Sequence, residues 1–186
     1  MTTPEDPLVL PDAAAWRAWL DVHESESDGV WLLIAKKGTT DPTRLQVTDT
    51  LDEALCSGWI DGQRKGRDEA TFVQRYTPRR ARSLWSARNV THIARLTAEG
   101  RMRPRGLAEV AAAQADGRWD RAYAGSAGME VPADLIAALA AAPGATEAFE
   151  ALGRSERYSA LHQVVTAATA ETRARRIARW VDRLRG

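Results

Sequence analysis

The sequence predicts an α+β fold: a small β-sheet flanked by helices, followed by a helical C-terminal tail packed on it. Three observations lead there. Runs of strand character, apolar and rich in β-branched or aromatic residues, are confined to roughly the first 80 residues. Everything after Ser83 carries helical spacing punctuated by Gly and Pro. No fixed-period repeat is visible, which excludes solenoids and propellers.

The elements follow in chain order. Residues 1–11 have no periodicity and read as a flexible tail. Asp12 suits an N-cap, and Trp16, Trp19, Leu20 and His23 recur at helical spacing, so a first helix is expected to end near Ser27. After the turn at Asp28-Gly29, the apolar run Val30-Trp31-Leu32-Leu33-Ile34-Ala35 suits a strand buried on both faces. Thr50 and Glu53 fit a capping box for a short helix that buries Leu51, Ala54 and Leu55 and closes at Gly58. A second strand begins at Trp59-Ile60 and is expected to turn through Asp61-Gly62-Gln63, and a third runs from about Ala70 to Tyr76. Helices are predicted over residues 86–98, 105–115, 132–141, 146–152, 155–168 and 171–184. Residues 119–131, with Gly125 and Gly128, read as a connector between an α+β core at 12–118 and a helical region at 132–186.

Composition narrows the function classes. With 44% hydrophobic and 27% charged residues the chain reads as an ordinary folded protein, neither disordered nor fibrous. No apolar run approaches the ~20 residues that span a bilayer, and the first residues lack the basic and apolar stretches of a signal peptide, so the expected compartment is the cytoplasm without membrane insertion. Cys56, the single cysteine, has no disulfide or zinc-knuckle partner, and His23, His92 and His162 lie in separate predicted helices without HExxH spacing. No Walker A, Rossmann or G-x-S-x-G pattern occurs, and neither a metal nor a cofactor is expected.

Charge is distributed unevenly although the net charge is only +1. Residues 1–63 carry four basic and twelve acidic groups, residues 64–105 twelve basic and three acidic, and residues 171–186 six Arg against two acids. That asymmetry points either to an anionic partner or to segments of opposite sign packing together.

The stretch from Trp59 to Asn89 concentrates the residue types of a binding surface. Arginine forks at Arg75, Arg79 and Arg80 suit carboxylates and phosphates, and the faces of Trp59 and Trp85 suit a ring or a guanidinium. Ser86, at a predicted helix start, adds unpaired N–H groups, while Asp61 and Asn89 could orient a ligand. Each also has a structural reading: Trp59 and Trp85 as core packing, Ser86 as an N-cap, Arg79 and Arg80 as ion-pair partners of the acidic N-terminal half, Asp61 as the cap of its own turn. The set Trp59, Asp61, Arg75, Arg79, Arg80, Trp85, Ser86 and Asn89 is the candidate lining for an anionic or aromatic small molecule, or for an acidic protein surface. Two other classes stay open. One is an enzyme using Cys56 or Asp61, although a buried inert thiol is the commoner case. The other is nucleic-acid binding through the basic stretch and the Arg-rich last helix.

Residues 53–61, Glu-Ala-Leu-Cys-Ser-Gly-Trp-Ile-Asp, with residues 77–89 and 96–102, resemble the YdeI/OmpD-associated, or bacteriocin-protection, family. Residues 132–149 and 169–177 are similar to the helical tail of the same family, so the resemblance covers nearly the whole chain. It implies the fold given above and a role in stress or tolerance of antimicrobial peptides, with no catalytic residues to carry over. In place of that tail's usual Ser-His or Ala-Lys-rich turn, the sequence has Val164-Val165-Thr166-Ala167-Ala168-Thr169.

Overall fold

The computed structural model describes residues 2–125 and 128–185. Met1, Ser126, Ala127 and Gly186, which fall in the expected tail, connector and last helical region, lie outside the described residues. The chain gathers into two compact units, one of Met1–Ser83 with Asn89–Asp120, the other of Leu84–Arg88 with Arg121–Gly186.

The first unit is built on three antiparallel strands in the order β1-β3-β2. Helix α1 (Ala13–His23) is capped by the Asp12 carboxylate, which accepts from the Ala15 N–H at 3.0 Å. β1 (Val30–Ala35) is buried along its whole length, as its unbroken apolar run requires. Residues at the N-terminus lie along it: Leu8 forms a parallel bridge to Leu32, and the Trp31 N–H donates to Thr2 Oγ1.

α2 (Val47–Cys56) starts earlier than the sequence suggests. Its N-cap is Gln46, so Thr50 and Glu53 sit inside the helix and form no capping box. Thr50 Oγ1 instead reaches back to the Gln46 and Val47 carbonyls and meets Tyr76 Oη at 2.7 Å. Burial of Thr50 against β3 is the tertiary demand that decided this, because a cap must face its own helix end.

β2 (Trp59–Gly66) does not turn at residues 61–63. It continues as a strand with a bulge between Asp61 and Arg64, paired to β3 (Thr71–Pro78). The reason is Gln74, a buried amide on β3 whose Nε2 donates to the Gly62 and Gln63 carbonyls and whose Oε1 accepts from Arg64 Nε at 2.9 Å. That side chain supplies the partners the bulged backbone loses from the ladder. The turn lies further on, where the Asp68 carboxylate accepts from the Ala70 and Thr71 N–H groups and from Thr71 Oγ1, which hold its pKa below the ordinary value.

One face of the sheet, with Val30, Leu32, Ile34, Trp59 and Tyr76, forms a core with Trp16 and Leu20 of α1, Leu45, and Ala54 of α2. Trp16 and Trp59 meet edge to face with ring centroids 6.4 Å apart, and Trp16 Nε1 donates to the Thr50 carbonyl. Two helices complete the unit, α3 (Ala87–Ala98), whose first two residues group with the second unit, and α4 (Pro104–Ala115). Pro104 opens α4, where its missing N–H costs nothing.

The second unit holds α5 (Ala133–Ala140), α6 (Ala145–Glu150), α7 (Arg154–Val165) and α8 (Ala170–Leu184), around Leu135, Leu139, Phe149, Leu161, Val164, Ile177 and Trp180. Thr169 caps α8 by accepting from the Thr172 N–H. With eight helices and one three-stranded sheet among the described residues, the fold is α+β with a helical C-terminal region. No helix among them is long and apolar enough to cross a membrane.

α4 passes so close to the end of α2 that a Cβ on Gly106 would stand 2.2 Å from the Cys56 carbonyl oxygen and 3.0 Å from that of Leu55. Both obstacles are backbone, which cannot rotate away. Gly106→Ala should therefore destabilise the protein by about 1–3 kcal/mol, read as a lower urea midpoint, against a Gly66→Ala control, whose Cβ meets nothing within 4 Å.

Candidate functional site

The eight candidate residues divide between the two units. Trp59, Asp61, Arg75, Arg79, Arg80 and Asn89 belong to the first, Trp85 and Ser86 to the second. Trp59 has no exposed surface: its ring edges against Trp16 and Trp19, and its Nε1 donates to the Glu24 carbonyl at 3.2 Å. Asp61 is exposed on β2 opposite Tyr76, and Arg75 is half-buried on β3 opposite Trp31. Arg79 is buried, and its backbone N–H donates to the Gly58 carbonyl, bringing the chain after β3 beside the start of β2. Arg80 is exposed, with its N–H donating to Ser83 Oγ. Asn89 is buried in α3. In the second unit Trp85 is buried, its carbonyl accepts from the Tyr123 N–H at 3.0 Å, and Ser86 pairs with Tyr123 in a parallel bridge.

A second constellation, absent from that set, is assembled at the C-terminal half of α2. Asp52 and Glu53 are both buried. Asp52 accepts two 2.6 Å contacts from Arg95 Nη2, lies 3.2 Å from His92 Nδ1 and 3.6 Å from Arg101 Nη1. Glu53 accepts from Arg101 Nη2 and from Arg103 Nη2, each at 2.8 Å. Arg103 Nη1 also donates to Ser57 Oγ, its Nε stands 3.3 Å from Asp21 Oδ1, and its backbone N–H donates to the Cys56 carbonyl. Arg95 and Arg101 in turn hold Glu99, whose pKa they lower, Arg95 foremost. The clue in the sequence was the charge asymmetry itself, acids before residue 63 and bases after it.

Chemically this cluster is suited to holding elements together. Both carboxylates are engaged by guanidinium donors, and buried ion pairs keep their charge only under that kind of saturation. Cys56, the last residue of α2, is fully buried, and burial foremost, with the Glu53 charge adding to it, pushes its thiol up to about 11. A thiol of that kind is almost wholly protonated at neutral pH, which works against a nucleophilic role. His162, in the second unit, is held neutral over a wider range because burial, then the Arg176 charge, lowers its pKa. Its ring stands edge-on to Tyr123 at 4.7 Å.

The comparisons with known proteins follow the two parts of the chain. Residues 8–109 match the family model described as Domain of unknown function (DUF8412), and residues 128–186 match the one described as Bacteriocin-protection, YdeI or OmpD-Associated. The chain belongs to the DUF8412 family and carries a YdeI/OmpD-associated domain. Neither a curated protein nor a solved structure matches it significantly. The α2 ion cluster and the sheet lie within the DUF8412 match, while α5 to α8 make up the described part of the YdeI/OmpD-associated domain. The motif stretches at 53–61, 77–89 and 96–102 therefore fall in the first match, and 132–149 and 169–177 in the second.

Two outcomes are expected from this geometry. Glu53→Ala leaves the buried Arg103 guanidinium without its carboxylate and should cost about 3–5 kcal/mol in urea unfolding. In the native protein at neutral pH, Cys56 should resist an alkylating probe and react only on addition of denaturant; rapid native labelling would show the thiol to be accessible and ionised.

Proposed function

We propose that this protein is a non-catalytic binder of an anionic ligand, a small molecule or an acidic partner surface, serving stress or antimicrobial-peptide tolerance. One observation carries the reading. Among the described residues, Arg95, Arg101 and Arg103 are committed to carboxylates, whereas Arg64, Lys65, Arg75, Arg80 and Arg82 form no ion pair. Arg64, Lys65, Arg80 and Arg82 are exposed. Cations left unneutralised on one segment are what an anionic partner needs.

The local architecture supports a defined arrangement of these charges. β2 is an edge strand, the bulge pinned by Gln74 holds Arg64, and the Arg79 N–H contact to Gly58 keeps Arg80 and Arg82 close to the other end of the same strand. Arg64 lies over the Phe72 ring at 4.4 Å and Lys65 over Trp31 at 5.6 Å, which limits their freedom before any ligand arrives. In this reading Asp61, on the same strand, orients the ligand, and the buried Arg79 and Trp59 act by positioning the strand and loop. The description of the second matched family, bacteriocin protection, supports the tolerance role.

Thermal-shift screening of the whole protein against nucleotides, other anionic metabolites and acidic peptides tests the proposal. A ligand that raises the wild-type melting temperature should fail to raise that of Arg80→Ala with Arg82→Ala, because binding to the folded state must stabilise it. Both substituted side chains are exposed, so the unliganded melting temperatures should agree. Equal shifts in wild type and variant would remove these arginines from the site.

A further inference from the structure

In the second unit, α5 and α8 leave an open groove of about 540 Å³. Its floor includes Ile177 and Val181, and its sides include the small residues Ala138, Ala141, Ala174 and Ala178. Alanines on both sides allow another helix to approach closely. Ile177 and Val181 already belong to the core of this unit, so the groove continues that core outward.

The charges along the border of α8 indicate which helix fits. Glu171, Arg175, Asp182 and Arg185 are all exposed, and at 100° per residue they project on the flank that faces away from the core. Consider a second α8 lying antiparallel, with the two Ala178 residues meeting at the centre. Glu171, seven positions before Ala178, then faces Arg185, seven after it; Arg175, three before, lies beside Asp182, four after. A twofold axis repeats both pairs, giving four opposite-charge contacts around an apolar centre. Parallel packing in register would set each charge against its like. Among the described residues Glu171 and Arg175 form no ion pair within the chain, and Arg185 has only a 3.9 Å contact to Asp182.

We infer that this groove takes α8 of a second copy of the chain, making an antiparallel isologous dimer through the YdeI/OmpD-associated domain. The apolar centre supplies the driving force, and the flanking charges set orientation and register.

Sedimentation equilibrium of the full chain across micromolar concentrations tests it. Wild type is expected to dimerise, and Ala178→Glu, which sets two carboxylates against each other at the axis, should raise the dimer Kd by about tenfold or more. Position 178 is exposed, so the variant should retain the wild-type circular dichroism spectrum and melting curve at monomeric concentration. Arg185→Glu should also weaken the dimer, and Glu171→Arg added to it should recover affinity, since the exchanged charges again face their opposites. A monomer at every concentration overturns the proposal. So does a dimer indifferent to Ala178→Glu, or a charge exchange that recovers nothing relative to Arg185→Glu alone.

Discussion

The first unit depends on how the carboxylates of Asp52 and Glu53 are satisfied. Both sit in the C-terminal half of α2, where the helix dipole already disfavours negative charge, and both are buried. Left alone they would be intolerable there. Arg95, from α3, and Arg101 and Arg103, from the segment between α3 and α4, close around them, and the Arg103 N–H takes up the Cys56 carbonyl at the helix end. The same requirement places α4 against α2, close enough that only glycine fits at position 106. Ion pairing, helix termination and helix packing are thus one structure.

The aromatic core has a similar economy. Trp16, Trp59 and Tyr76 fill the space between α1, α2 and the sheet, and each polar ring atom is used: Trp16 Nε1 on Thr50, Trp59 Nε1 on Glu24, Tyr76 Oη on Thr50 Oγ1. Burial raises the Tyr76 hydroxyl pKa above its ordinary value, so it remains protonated and able to donate. Large rings used this way anchor the strands that carry Asp61 and Arg75. Their faces are given to one another, and none of the three rings is exposed to solvent.

The chain's positive charges accordingly serve different ends. Arg95, Arg101 and Arg103 neutralise the acids of α2, Arg64, Lys65, Arg75, Arg80 and Arg82 form no ion pair among the described residues, and on α8 Arg173 holds Asp134 through two contacts of 2.6 and 2.8 Å. Residue type alone separates these groups poorly, since nearly all are arginines, drawn from helix, strand and loop alike. What separates them is whether an acid lies within reach in the folded chain.

Strand and helix identities were largely legible because periodicity and apolar runs are local properties. β1 and the last four helices follow directly from them. What depended on distant residues was not legible. Thr50 looked like a cap until Tyr76 claimed its hydroxyl, and residues 61–63 looked like a turn until Gln74, on another strand, supplied partners for a bulge. For the candidate site, the sequence marked where cations and aromatic residues concentrate, and only the tertiary structure decided that Trp59 is enclosed while Arg80 faces solvent. It also assembled Asp52, Glu53, Arg95, Arg101 and Arg103, up to 51 positions apart in the chain. Local chemistry is written in the order of residues, whereas burial and charge pairing are properties of neighbours that only folding brings together.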